Sequence, residues 1–253
     1  MVIVKSPREI ALMKEAGRVV GLVFKTLEEK IHPGMSTLDI DAIVEKVMLD
    51  NDCIPSEKGY YDYPASSCVS VNEVLVHGIP SSKRILKEGD IVSVDIVATY
   101  KGYMADACRT YKVGTVSERA DRLVRVTKEA FFESLKYVKA GNHIGDISHA
   151  VQTYVEKHGY NVSRDYTGHG IGSHMHEDPS IPNYGKEGTG VKLTPGMTIC
   201  IEPMVLEGRK ETRVLPDGWT AVSKDGKLTA HYENTVVVKE DGYEIITMYE
   251  GEE

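Results

Sequence analysis

Apolar residues at Ile10, Met13, Val20, Phe24, Leu27 and Ile31 recur at a spacing of three and four, which lays one buried stripe along a helix. Ser6-Pro7-Arg8-Glu9 supplies an N-cap serine, a proline at the first helical position and a glutamate three residues after the cap, so that helix starts there. His32-Pro33-Gly34 stops it. A second stripe, Ile40, Ile43, Val44, Val47 and Met48, predicts a core-facing helix from about Thr37 to Leu49. Ser117 caps a third helix that carries Leu123, Val124, Phe131, Leu135 and Val138, and a fourth runs from about Ile144 to His158 before Gly159.

The period changes between the second and third helices. From Ile54 to Pro64 the chain turns to Pro, Ser, Gly and Tyr, and Cys68 to Pro80 then alternates like a short strand entering a loop, with His77 at its exit. A histidine there serves either as a hydrogen-bonded loop residue or as a working group. Ile91 to Tyr100 is rich in Val, Ile, Thr and Tyr, Lys101-Gly102 supplies a turn, and Tyr103 to Val113 returns as a hairpin partner. With Lys101 and Gly102 as the loop, Tyr100 pairs with Tyr103 and position 97 lies opposite 106. Asp95 and Asp106 then share one face of an otherwise apolar hairpin. Two such anions repel and lose solvation unless a cation or a shared proton joins them.

An internal repeat enlarges this picture. Gly34-Met-Ser-Thr-Leu-Asp-Ile40 matches Gly141-Asn-His-Ile-Gly-Asp-Ile147 in Gly, Asp and Ile, at an offset of 107. The same offset aligns Gly89 with Gly196 and Asp95 with Glu202. Each half therefore reads as two helices followed by two strands bearing carboxylates, Asp95 and Asp106 first, Glu202 and Glu233 second. The second pair is interrupted by an excursion from Glu207 to Thr229 that contains Trp219. Two such halves facing each other place four carboxylates around a pseudo-twofold axis, an arrangement that calls for metal.

Length and charge bound the partners. The 253 residues, 41% of them hydrophobic, predict a single catalytic domain, residues 1–253, with halves at about 1–115 and 116–253. A net charge of -8 argues against coating nucleic acid, while leaving room for a local basic loop. The start lacks the apolar core of a signal peptide and no run reaches the length of a membrane span, which predicts a cytoplasmic protein with no membrane contact. Cys53, Cys68, Cys108 and Cys200 lack C-x-x-C spacing, which suits reduced thiols.

The four acidic ligands alone suit hard divalent ions. Thr167-Gly-His-Gly-Ile-Gly-Ser-His-Met-His-Glu-Asp-Pro179 adds His169, His174 and His176 between glycines, and one imidazole moves the choice towards Mn, Fe, Co or Zn. So much negative charge suggests two metals that acidify a shared water, hence hydrolysis. No G-x-S-x-G elbow or Walker loop competes, and Gly168-His-Gly-Ile-Gly172 lacks dinucleotide spacing.

Asp95, Asp106, His169, Glu202 and Glu233, with Asn72-Glu73 to His77-Gly-Ile-Pro80 upstream and Ile201-Glu-Pro203 downstream, resemble the type I methionine aminopeptidases from about Ser6 to Thr247. The resemblance implies the α/β (α+β) pita-bread fold: two pseudo-twofold related halves, an antiparallel sheet core and helices outside. It implies a dinuclear metallohydrolase that removes the initiator methionine from nascent peptides, favouring a small second residue. By the same resemblance Asp95 chelates one ion, Asp106 and Glu233 bridge both, and His169 and Glu202 complete the second, with Glu202 also handling protons. His77 and His176 match the two active-site histidines that contact the scissile peptide. Tyr60, Tyr63, Cys68, Trp219 and Met175 would line the side-chain pocket, Met175 standing where an aromatic is common. Glu57 stands where a cysteine can occur. A monomer is implied, with a ribosome contact near the exit tunnel through the basic stretch Arg209-Lys227, which carries Lys210, Arg213 and Lys224. The nearest rival is a proline-specific peptidase of the same fold, and the more distant one a non-catalytic relative.

Overall fold

A computed structural model describes residues 2–252. Four helices form, α1 (Pro7–Lys30), α2 (Thr37–Asp50), α3 (Glu118–Leu135) and α4 (Ile144–Lys157). The strands of the first half are β1 (Ile54–Pro55), β2 (Cys68–Val71), β3 (Val74–Val76), β4 (Ile91–Tyr100) and β5 (Tyr103–Lys112). Those of the second are β6 (Asn161–Val162), β7 (Thr167–Gly170), β8 (Glu177–Pro182), β9 (Thr198–Ile201), β10 (Met204–Leu206), β11 (Thr212–Val214), β12 (Ala221–Ser223), β13 (Thr229–His231), β14 (Glu233–Lys239) and β15 (Gly242–Ile245).

The helix starts follow the caps. Ser6 accepts from the Glu9 amide while the Glu9 carboxylate accepts from the Ser6 amide, and Ser36 and Asp39 repeat that box at α2. Ser117 caps α3 by accepting from the Ala120 amide, without a reciprocal carboxylate. The β4–β5 hairpin has the register its turn dictates, Tyr100 opposite Tyr103 and Val97 opposite Asp106. Two segments are more structured than their sequence suggested. Cys68 to Pro80 divides into β2 and β3 at Asn72, whose left-handed φ of 57° turns the chain and whose side chain holds the Ile91 amide and Asp90. The excursion after Glu207 folds into β11, β12 and β13, which pair with β3 and β10 in two small three-stranded sheets.

The main sheet has nine antiparallel strands in the order β1-β4-β5-β14-β9-β7-β8, with β2 on β4 and β15 on β14. Its centre is the β5–β14 pair, flanked on one side by β4 then β2 and on the other by β9 then β7. The twofold relation runs through the backbone. Gly34 N donates to Leu86 O at 2.8 Å, and 107 residues on Gly141 N donates to Leu193 O at 3.0 Å. The paired glycines share left-handed φ values, 95° and 94° at Gly34 and Gly141 and 89° and 86° at Gly89 and Gly196, which only glycine adopts without strain. Helix α1 packs Met13, Val20, Phe24 and Leu27 on Val92, Val94 and Ile96, and α3 sets Phe131 and Leu135 against Ile199, Val236 and Val238. Helices α1 and α3 thus cover one face of the sheet, and the other face of β4, β5 and β14 carries Asp95, Asp106 and Glu233.

Candidate active site

Strand alternation gathers the carboxylates. Cys108 of β5 pairs with Asp95 of β4 on one side and with Glu233 of β14 on the other, and Asp106 lies two residues along the same face of β5. From the second half, His169 of β7 pairs with Cys200 of β9, and Glu202 follows two residues later, just past the end of that strand. Gly168 makes this approach possible, because a Cβ there would meet Cys200 O at 2.3 Å and Glu202 Cγ at 3.3 Å. His169 Nε2 consequently lies 3.6 Å from both Asp106 Oδ2 and Glu202 Oε1. One ligand atom from each of Asp106, His169, Cys200 and Glu233 fits within 4.8 Å of the others, and so do those of Asp95, His231 and Glu233.

The electrostatics are those of a cation site. Asp95 Oδ1, Asp106 Oδ1 and Glu233 Oε1 are buried without a hydrogen-bond partner. Among the described residues, the imidazoles of His169 and His231 approach Asp106, Glu202 and Glu233 to 3.6 Å. Burial pushes Asp95 up to about 7, and burial followed by repulsion from neighbouring carboxylates holds Asp106, Glu202 and Glu233 well above the usual range. Burial and the nearby His176 press His169 down to about 3, so it presents a neutral imidazole. The orphaned oxygens and the few imidazoles among them fit hard to borderline divalent ions. Burial, followed by the surrounding carboxylates, pushes the Cys200 thiol well above its usual range.

These residues line a cavity of about 210 Å³, and Tyr60, Tyr63, Cys68, His77, Met175, His176 and Trp219 line it with them. At its mouth, His176 is exposed, its ring packs edge-on against His169 at 4.3 Å, and its Nδ1 lies 2.6 Å from the Tyr60 hydroxyl. His77 has a left-handed φ of 58° and sits edge-on to Tyr166 and Trp219 at 5.5 and 6.0 Å. Burial, then the charge of His176, lowers its pKa to about 4. One end of the cavity is apolar. There Tyr63 meets Trp219 at 5.1 Å beside Ala65, Cys68 and Ile79, and its hydroxyl is anchored on Ser67 O and Gly78 O. His174 lies apart, with a side chain 78% exposed.

The sequence reading missed His231, Tyr166, Cys200 and Met204, all at or beside the cavity. His231 is 2% exposed, and its Nε2 lies 3.6 Å from Glu202 Oε2 and from Glu233 Oε2 without a hydrogen bond. Its position two residues before Glu233 was a usable signal, since extended chain returns side chains to one face every second residue. Nothing in the local pattern marks Tyr166 or Met204, which arrive through the pairing of separate segments.

Residues 11–240 match the model of metallopeptidase family M24. The chain is 49% identical over 250 residues to a methionine aminopeptidase of Clostridium acetobutylicum, covering 99% of this chain and all of that one. The crystal structure of a methionine aminopeptidase from Thermotoga maritima, 47% identical, superposes with a TM-score of 0.97 over 98% of this chain and all of that one. A prolidase from Pyrococcus furiosus, 24% identical with a TM-score of 0.79, shares the fold over 98% of this chain and 66% of its own length. Family match, near-complete identity coverage and the carboxylate-histidine cavity agree, and the chain belongs to metallopeptidase family M24, among the methionine aminopeptidases.

Proposed function

We propose that this chain is a cytoplasmic, monomeric methionyl aminopeptidase of type I, which hydrolyses the first peptide bond of nascent chains that begin with methionine and carry a small second residue. The observation that carries the reading is the set of buried, unpartnered carboxylate oxygens that two strand pairs aim into one cavity. Asp95, Asp106, His169, Glu202 and Glu233 would hold two divalent ions, Co, Mn, Fe or Zn. Once bound, the ions would offset the carboxylate charge, polarise a carbonyl and acidify a water.

The chain's own groups do the rest. The apolar end of the cavity takes the flexible thioether side chain against Tyr63, Cys68, Trp219 and Met175, with Tyr60 and His176 closing the mouth. Glu202 accepts the proton of the attacking water and returns it to the departing amine. His77 and His176 donate to the carbonyl oxygen as it gains charge, a task for which a neutral imidazole N–H is suited. Arg209, Lys210, Arg213, Lys224 and Lys227 are exposed and form the proposed ribosome contact.

Chelator-stripped protein retitrated anaerobically with each metal tests the reading on Met-Ala-Ser. Metal-restored methionine release is expected, and cleavage of Xaa-Pro peptides in preference would overturn the specificity. Asp106→Ala or Glu233→Ala should abolish turnover and bind fewer ions in the same titration.

A further inference from the structure

Glu57 is a carboxyl group where an apolar pocket has no evident need of one. It precedes Tyr60 and Tyr63, is 6% exposed, and stands in the cavity wall. The Cys68 thiol lies beside it, and Cys68 packs with Tyr63 and Trp219 at the apolar end. Its Oε2 is buried with no partner. Among the described residues no lysine or arginine forms an ion pair with it, and the adjacent Lys58 pairs with Glu45 at 2.7 Å. Burial away from water disfavours the charged form and holds the acid well above the usual carboxylate range.

A protonated acid offers one O–H donor beside an otherwise apolar surface. The thioether of methionine is a weak acceptor and leaves that donor nearly unused. Methionine sulfoxide has the same chain and reach but adds a strong S=O acceptor, and it arises wherever exposed methionine is oxidised. We propose that Glu57 equips the side-chain pocket to take methionine sulfoxide as the amino-terminal residue, its carboxyl O–H donating to the sulfoxide oxygen. The reaction remains hydrolysis of the first peptide bond, and the sulfoxide leaves unreduced. This inference rests on the aminopeptidase reading given above. It carries a reciprocal consequence: unoxidised methionine leaves a buried donor unpaired, so removal of the acid should favour the thioether.

The experiment compares wild type, Glu57→Leu and Glu57→Gln in their metal-loaded forms. One measurement is kcat/KM on Met-Ala-Ser and on its sulfoxide, and the other is calorimetric binding of free methionine and free methionine sulfoxide. Glu57→Leu should lower the sulfoxide-to-thioether ratio about ten-fold in both measurements, while Glu57→Gln, which keeps an N–H donor of similar reach, should hold it within about three-fold. An unchanged ratio in Glu57→Leu, or an equal fall in both variants, would overturn the proposal. Absence of turnover by wild type on either peptide would sink the aminopeptidase reading, and the calorimetric ratio would still decide the role of Glu57.

Discussion

Arg109 joins the site to the end of the chain, and its removal yields a quantitative prediction. It is 6% exposed and lies on the helix-covered face of β5, between the rings of Phe24 and Tyr232 at 4.7 and 4.4 Å. Its guanidinium donates to the backbone carbonyls of Cys108 at 2.9 Å and Glu233 at 2.5 Å, to Asn234 Oδ1 at 2.7 Å, and to the carboxylate of Glu252. Arg109→Met keeps the apolar stem and removes every donor. Glu252, whose side chain is 5% exposed, then keeps the Tyr232 hydroxyl at 3.1 Å but loses its ion-pair partner, a loss of about 3–5 kcal/mol. The freed carbonyls add to this, though contacts within one network do not sum. Urea unfolding should shift its midpoint down by about 1 M or more, at slopes of about 1–3 kcal/mol per M. Arg109→Met/Glu252→Leu removes both charges and should recover about half of the loss. A single variant within about 1 kcal/mol of wild type would refute the argument, as would a double variant that loses the sum of the two singles.

Other outcomes follow from the same geometry. His77→Ala should bind metal like wild type yet lose about 10²–10³-fold in kcat, and a comparable loss of metal affinity would show that it is not a carbonyl donor. Metal-free protein should lose stability as pH rises above about 6.5. Unfolded histidines have already released their protons there, whereas native Asp95, at about 7, and Asp106, Glu202 and Glu233, held higher, still bind theirs and surrender them at a cost. Saturating divalent metal should flatten that slope, and a stability that climbs with pH in the stripped protein would contradict it. Charge reversal at Arg209 and Lys210 should reduce cosedimentation with ribosomes at low salt, and unchanged binding would remove the proposed contact.

Local chemistry in the chain was enough for the helices and for the first pair of carboxylates. The capping boxes, the three-and-four stripes and the two-residue turn at Lys101-Gly102 act over a few residues, so α1 and the Asp95–Asp106 register were legible without any tertiary contact. The 107-residue offset carried more, because a repeated glycine and a repeated carboxylate imply repeated backbone geometry. Tertiary structure decided what no local pattern encodes. The pairing of β5 with β14 sets Asp95 and Glu233 on either side of Cys108, and Gly168 lets His169 close on Glu202. It also brought His231 between two carboxylates, left Glu57 a buried acid with a free oxygen, and placed Arg109 under the carbonyl of Glu233. Desolvation is the reason these differ from the helices. A cap is written in the residues it joins, whereas the cost of a buried charge depends on which distant segments exclude water from it.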